Sequence, residues 1–414
     1  MQRKVFCMWV LSLLVVGILS MHSGYAQVVP IASQVKTSTY TTNSSANLVS
    51  AGLTTVRFGI YYNPDFDVNG QNSTAWQPYD ALIQVLNAAG TKVLMTAFIG
   101  PSTLTAQVNS LVTSSTTSSQ KDLIVRQTVQ GDLNTLVTQA IQRYGSTISA
   151  VEIWNEPDNS TFWNSSLGTF DNAMTGICDS ISNWPIGIVY GYAFTQIPES
   201  ISGDTSTSTQ LYEALSNAGS ISCLAGVSAH FYSTTPESLL TSIPYSQGTI
   251  GKPLLLTEFG ASSDPSIRTD TAQAQLILRN LLSLFIAKPV LGSIYEWKDT
   301  ASAPTTREQH YGMTDSSDTA KPVYTGLKNL YSLYVPSTST TGNCTSGLCS
   351  LNIVQSTYSY TVYWRSDSSG TKLSTIIGNK QIMEKQLSLN TAFAQVLSSS
   401  VYATSTPIVI QTQN

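Results

Sequence analysis

The chain has 414 residues, of which 42% are hydrophobic, enough for a large core, and only 11% are charged, against roughly 25% in ordinary soluble proteins. The net charge of −4 argues against a nucleic-acid partner, which needs a basic footprint. Ser, Thr, Asn and Gln take the place of the missing charge, with 20 Tyr and 7 Trp, a surface suited to uncharged, hydroxylated ligands rather than phosphates.

In chain order, Arg3 and Lys4 precede an apolar run from Val5 to about Leu19, and Gly24-Tyr25-Ala26 follows. This is the order of a secretory signal peptide over residues 1–26, cut after Ala26. It predicts a secreted, extracellular or periplasmic protein with no stable membrane association after cleavage. No other stretch approaches spanning length. Cys7 leaves with the signal, and Cys178, Cys223, Cys344 and Cys349 remain. An even count in an oxidising compartment predicts two disulfides. Proximity favours 178–223 and 344–349, although four cysteines allow three pairings. With no CxxC, and only His22, His230 and His310 as histidines, neither a metal site nor a cofactor is predicted.

Short apolar runs then recur: Val56–Ile60, Lys92–Phe98, Ser149–Trp154, Ile186–Tyr192, Ala225–His230, Pro253–Glu258 and Gly292–Trp297. Each reads as a buried strand. A first strand is expected within Val28–Val35, on a poor signal. Between them, Tyr79–Ala89 carries apolar residues at helical spacing and ends at Gly90, and Leu133–Tyr144 and Ala272–Ala287 behave alike. Such alternation implies parallel βα units. About eight units in one run, with no G-x-G-x-x-G after any strand, favour a (β/α)8 TIM barrel over residues 27–335 rather than a doubly wound sheet.

A Pro/Ser/Thr/Gly-rich stretch around Tyr334–Gly342 breaks the pattern. Beyond it, Leu351–Gln355, Thr357–Trp364, Leu373–Ile377, Ala392–Leu397 and Pro407–Gln411 read as strands of a small antiparallel β domain, residues 336–414, packed mainly on the barrel.

Two acids stand out. Glu156 ends the strand Val151-Glu152-Ile153-Trp154-Asn155-Glu156, and Glu258 ends Leu254-Leu255-Leu256-Thr257-Glu258. A carboxylate after an apolar strand is costly unless it is paired or faces a polar cavity. At the C-terminal mouth of a barrel, both would face one cleft. Cleaving an acetal between sugars needs one carboxylic acid to protonate the leaving oxygen and one carboxylate to attack or to activate water.

Trp154-Asn155-Glu156-Pro157 on the fourth strand, with Thr257-Glu258-Phe259-Gly260 on the seventh, resembles the "4/7" clan A of glycoside hydrolases. The longer string Glu152–Asp158, preceded by Arg143-Tyr144 and followed by Phe162-Trp163, is most similar to family 39, with family 5 as near neighbour. The resemblance spans about Val28 to Tyr334. It implies a retaining hydrolase in which Glu156 is the general acid/base and Glu258 the nucleophile, with carboxyl groups ~5–5.5 Å apart. Arg57 and Tyr232 would keep Glu258 ionised, and the anionic Glu258 would disfavour ionisation of Glu156. Asn155 would bond the sugar 2-hydroxyl, His230 would line the same subsite, and Trp297 would form its floor. Glu152 reads as a structural partner on the same strand face as Trp154 and Glu156. Trp163, Trp76, Tyr61 and Tyr62 are either subsite platforms or packing residues, and Glu296 and Asp299 carry no assigned role. The expected partner is a carbohydrate, and the expected state a monomer. Two other functions fit the same residues: a non-catalytic carbohydrate-binding barrel, and a transglycosylase using both glutamates.

Overall fold

The computed structural model describes residues 28–199, 206–301, 306–367, 369–378, 381–389 and 392–414; the expected signal peptide lies outside them. The barrel strands are β1 (Ile31–Gln34), β2 (Thr55–Tyr61), β3 (Lys92–Phe98), β4 (Ile148–Asn155), β5 (Val189–Ala193), β6 (Val227–Phe231), β7 (Leu254–Phe259) and β8 (Leu291–Ile294). They pair in parallel in the order β5-β4-β3-β2-β1-β8-β7-β6. Parallel bridges Tyr190↔Gly226 and Phe194↔Ala229 join β5 to β6 and close the ring. Helices intervene, as expected for βα units.

The strands are strands because they are apolar on both faces. Leu254–Phe259 is buried at every position, as in a sheet covered inside by side chains and outside by helices. The helix Asp270–Ala287 is capped by Thr269, which accepts from the Ala272 amide. A longer helix, Ser118–Tyr144, begins at a capping box of Thr117 and Gln120.

That long helix also carries Asp132, buried against Tyr62 and Asp67 with Oδ2 unpartnered. Burial pushes its pKa up to about 7, aided by the charge of Asp67 and opposed by hydrogen bonds from Gln107 and Tyr62. The folded state therefore holds a proton that the unfolded chain has released. The stability linked to this group is complete below pH ~4 and is lost as pH rises toward ~7. Asp132→Asn should remove that dependence. Relative to wild type, we expect the variant's unfolding free energy to gain on the order of 2–4 kcal/mol between pH 4 and pH 8. Denaturant titrations of both chains at the two pH values check this.

The C-terminal strands are β9 (Ser339–Thr345), β10 (Leu348–Val354), β11 (Tyr358–Arg365), β12 (Thr371–Lys372), β13 (Gln381–Gln386), β14 (Ala394–Leu397), β15 (Tyr402–Ala403) and β16 (Ile408–Gln413). Six form an antiparallel sheet ordered β14-β13-β16-β11-β10-β9, and β12 pairs with β15. Leu373–Ile377, expected as a strand, is instead a short helical turn, Ser374–Ile377, ended by Gly378 at φ 75°. Its β-branched residues favour a strand, but Leu373 is anchored against Val401 and the chain must turn there. The sheet is fixed to the barrel by polar contacts as well as apolar packing. Arg279, on the barrel helix Asp270–Ala287, pairs with Glu237 at 2.5 Å and donates to the Ser366 carbonyl, while Trp364 Nε1 donates to Glu237. Disulfides link Cys178 to Cys223 and Cys344 to Cys349. No helix among the described residues is long and apolar enough to cross a membrane.

Candidate active site

The C-terminal ends of the barrel strands surround a cleft of about 640 Å³. Its floor is built around Arg57 on β2, fully buried inside the barrel. The guanidinium lies 2.6 Å from Glu152 Oε2 and 2.5 Å from Glu258 Oε1, and donates to Gln34 Oε1 at 3.1 Å and Asn155 Oδ1 at 2.9 Å. Burial opposes its charge, but the carboxylates of Glu152 and Glu258 outweigh that and raise its pKa. Glu152, fully buried, also accepts from Thr96 at 2.8 Å and stays below the ordinary carboxylate range: burial raises it, and the Arg57 charge leads the interactions that overcome this. Its structural role as a partner of Arg57 follows from these contacts.

Glu156 and Glu258 reach the cleft for identifiable local reasons. At the end of β4, Trp154 (φ 65°) and Glu156 (φ 44°) both occupy the left-handed region, at a cost of order 1–3 kcal/mol each that packing must sustain. These turns break the two-residue alternation. Trp154 therefore does not share the cleft face with Glu156, but packs against Phe170 and Trp163 at ring distances of 5.2 and 5.7 Å. On β6, a register shift after Ala229 sets His230 opposite Glu258. At Gly260 a Cβ would lie 2.1 Å from the Tyr295 carbonyl oxygen, so only glycine lets the segment after β8 approach the end of β7.

The two carboxylates meet. Glu156, His230 and Glu258 each present an atom within 4.8 Å of the other two. Tyr232 donates to Glu258 Oε2 at 2.8 Å, Asn159 donates to Glu156 Oε2 at 2.8 Å, and His230 Nδ1 bonds Glu156 Oε1 at 2.8 Å. A metal ion would have to displace these bonds beside the Arg57 cation, so the donor set does not suit one.

Glu156 departs from expectation in its electrostatics. Burial pushes its pKa up, but the hydrogen bond and charge of His230, the Asn159 hydrogen bond and the Arg57 charge together bring it below the ordinary value. The Glu258 charge does not decide its state in the free protein. His230→Leu removes the strongest lowering partner. If Glu156 must be protonated for turnover, the basic limb of kcat/KM then moves to higher pH, and His230→Asn, which keeps a donor without charge, falls between. A pH–rate series on the three proteins checks the order.

The remaining predicted positions divide. Arg57, Asn155 and Tyr232 line the cleft with the two glutamates. His230 is fully buried behind Glu156, where it touches carboxylates instead of lining the cleft. Trp297 is 1% exposed and packs against Tyr324, 5.9 Å between rings, and does not line the cleft. β8 ends at Ile294, and past it the chain bends, with the Trp297 amide bonding the Gln34 carbonyl. The aromatic facing the cleft there is Tyr295, two residues earlier. Of the four loop aromatics, Tyr61 lines the cleft and is 50% exposed, whereas Trp76, Trp163 and Tyr62 are buried in packing. Sequence reasoning missed Lys36, Tyr295, Glu308 and Tyr311, all on the cleft wall. For Tyr295 the strand-end position was a usable signal; Lys36 stands on a loop, and Glu308 and Tyr311 on and just after the short helical turn Arg307–His310, without one.

No protein-family model and no curated sequence matches the chain. Solved structures do. A family 39 glycoside hydrolase from the gut symbiont Bacteroides cellulosilyticus WH2 aligns at TM-score 0.64 and 15% identity, over 92% of this chain and 81% of its own. A glucosidase from Croceicoccus marinus aligns at 0.61 and 12%, over 94% and 96%. A GH30 endoxylanase from Clostridium papyrosolvens C71 aligns at 0.57 and 13%, over 95% and 98%. The alignments reach across the barrel and the appended sheet, and the chain has the fold of the clan A glycoside hydrolases.

Proposed function

We propose that the protein is a secreted, retaining glycoside hydrolase acting on a poly- or oligosaccharide, with Glu258 as nucleophile and Glu156 as general acid/base. The observation that carries this reading is the approach of the two carboxylates to within 4.8 Å. Retaining enzymes hold their pair ~5–5.5 Å apart, whereas inverting enzymes need ~6.5–9.5 Å to seat a water.

In the first step Glu156 gives its proton to the glycosidic oxygen while a Glu258 oxygen bonds the anomeric carbon, and the C–O bond to the leaving group breaks. In the second, Glu156 takes a proton from water, whose oxygen displaces Glu258 and restores its carboxylate. Arg57 and Tyr232, 2.5 and 2.8 Å from opposite oxygens of Glu258, hold its carboxyl group and fix its aim. Asn155 would meet the 2-hydroxyl and Tyr295 would underlie the ring. Because the pKa of Glu156 is lowered in the free protein, its role as acid requires that bound substrate raise it, which expelling water would do by strengthening the effect of burial.

Glu156→Gln tests the assignment. The loss in kcat/KM should be small, about tenfold, on aryl glycosides with good leaving groups and ~10³-fold or more on unactivated ones, since only the latter need protonation. A loss independent of the leaving group would reassign Glu156. Binding without turnover would favour a carbohydrate-binding barrel, and elongated products a transglycosylase. The two disulfides support an oxidising compartment reached through the predicted signal peptide. The boundary at 335/336 separates the catalytic barrel from a bracing β domain held through Glu237 and Arg279.

A further inference from the structure

The cleft holds charges that the proposed reaction does not use. Lys36, on the loop after β1, places Nζ 3.0 Å from Glu296 Oε2, 3.2 Å from Glu296 Oε1 and 3.8 Å from Glu308 Oε1, and 5.2 Å from the Tyr295 ring centroid. The Tyr295 hydroxyl donates to Glu308. Lys36 is partly exposed, its side chain at 30%, and Glu308 stands at the rim at 62%.

Among the described residues, both cations lining the cleft are thus already committed: Arg57 to Glu152 and Glu258, Lys36 to Glu296 and Glu308. In the free protein Glu156 adds a carboxylate whose partner, His230, is not in the cleft lining. His230 lies behind it, sealed from the cleft. Arg307 is exposed and stacks on Tyr311, 5.9 Å from the ring centroid, outside the lining. A low-dielectric cleft with an excess of one sign focuses that field on whatever enters.

We propose that the wall formed by Lys36, Tyr295 and Glu308, with the buried Glu296 behind Lys36, restricts this site to neutral sugars and closes it to uronic-acid and sulfated glycans. The inference rests on the glycosidase reading above. A neutral sugar offers hydroxyls that donate to Glu308 while its ring lies against Tyr295. A uronate brings a carboxylate to a wall whose described cations are already paired, where like charges repel.

The test compares aryl glycoside pairs of the same ring configuration, glucoside with glucuronide and galactoside with galacturonide, on the full chain at low salt. The same comparison is made by calorimetry with neutral and uronate oligosaccharides. We expect kcat/KM and affinity for the neutral member to exceed those for the uronate at least ~100-fold. Glu308→Gln and then Glu308→Lys should narrow the gap in that order, the second by at least ~10-fold, with unfolding midpoints reported alongside to exclude misfolding. A uronate turned over or bound as well as its neutral partner overturns the proposal and leaves the hydrolase reading standing. A gap unmoved by either folded variant removes Glu308 and the wall from its cause, and overturns it too. Neutral glycans bound with the expected preference but never hydrolysed overturn the hydrolase reading and sustain this one.

Discussion

Glu258→Gln is expected to lower kcat/KM on any aryl glycoside the protein cleaves by ~10⁴-fold or more, with little change in thermal stability. The amide cannot bond covalently to the anomeric carbon, and removing the nucleophile of a covalent mechanism forfeits most of its rate enhancement. Stability is spared because Gln keeps the volume of the side chain and an oxygen for Arg57, which retains Glu152 at 2.6 Å. A variant with a tenth or more of wild-type activity would remove Glu258 from the nucleophile's role. Steady-state rates and unfolding midpoints of the two proteins decide it.

Arg57→Met should be the most damaging single change on both counts. It strands Glu152, which is fully buried and bonded otherwise to Thr96, and breaking a buried ion pair from one side costs ~3–5 kcal/mol. It also strips Glu258 Oε1 of the cation that orients it from 2.5 Å away. Activity should fall at least ~100-fold. The double variant Arg57→Met with Glu152→Gln should recover much of the stability, since no uncompensated charge remains at that position, yet none of the activity. Denaturant unfolding and kcat/KM of the three proteins separate the two effects; recovery of activity in the double variant would show that Arg57 serves only the fold.

How much of this was legible in the sequence depended on how local the cause was. Lys92–Phe98 is both the predicted and the observed strand, because a continuous apolar run between a Gly-ended helix and a Gly-Pro turn leaves few alternatives. β1 was poorly marked since it is only Ile31–Gln34, too short for a period. The first half of Ser118–Tyr144 was missed although Thr117 and Gln120 form its capping box; the apolar spacing there is weak, and the cap was the better signal. The acids Glu156 and Glu258 could be read because carboxylates closing apolar strands are rare. Trp297 misled for the opposite reason: a large aromatic near a strand end looks like a platform, and only the bend after Ile294 gives that place to Tyr295. Lys36 and Glu308 come together from opposite ends of the barrel sequence, and no local pattern announces such a pair.

The central claim is that two glutamates perform a double displacement. Proton NMR of the anomer released first from an aryl glycoside, recorded faster than mutarotation, tests it most directly. The account predicts a first-formed sugar with the anomeric configuration of the substrate; the opposite anomer would contradict it.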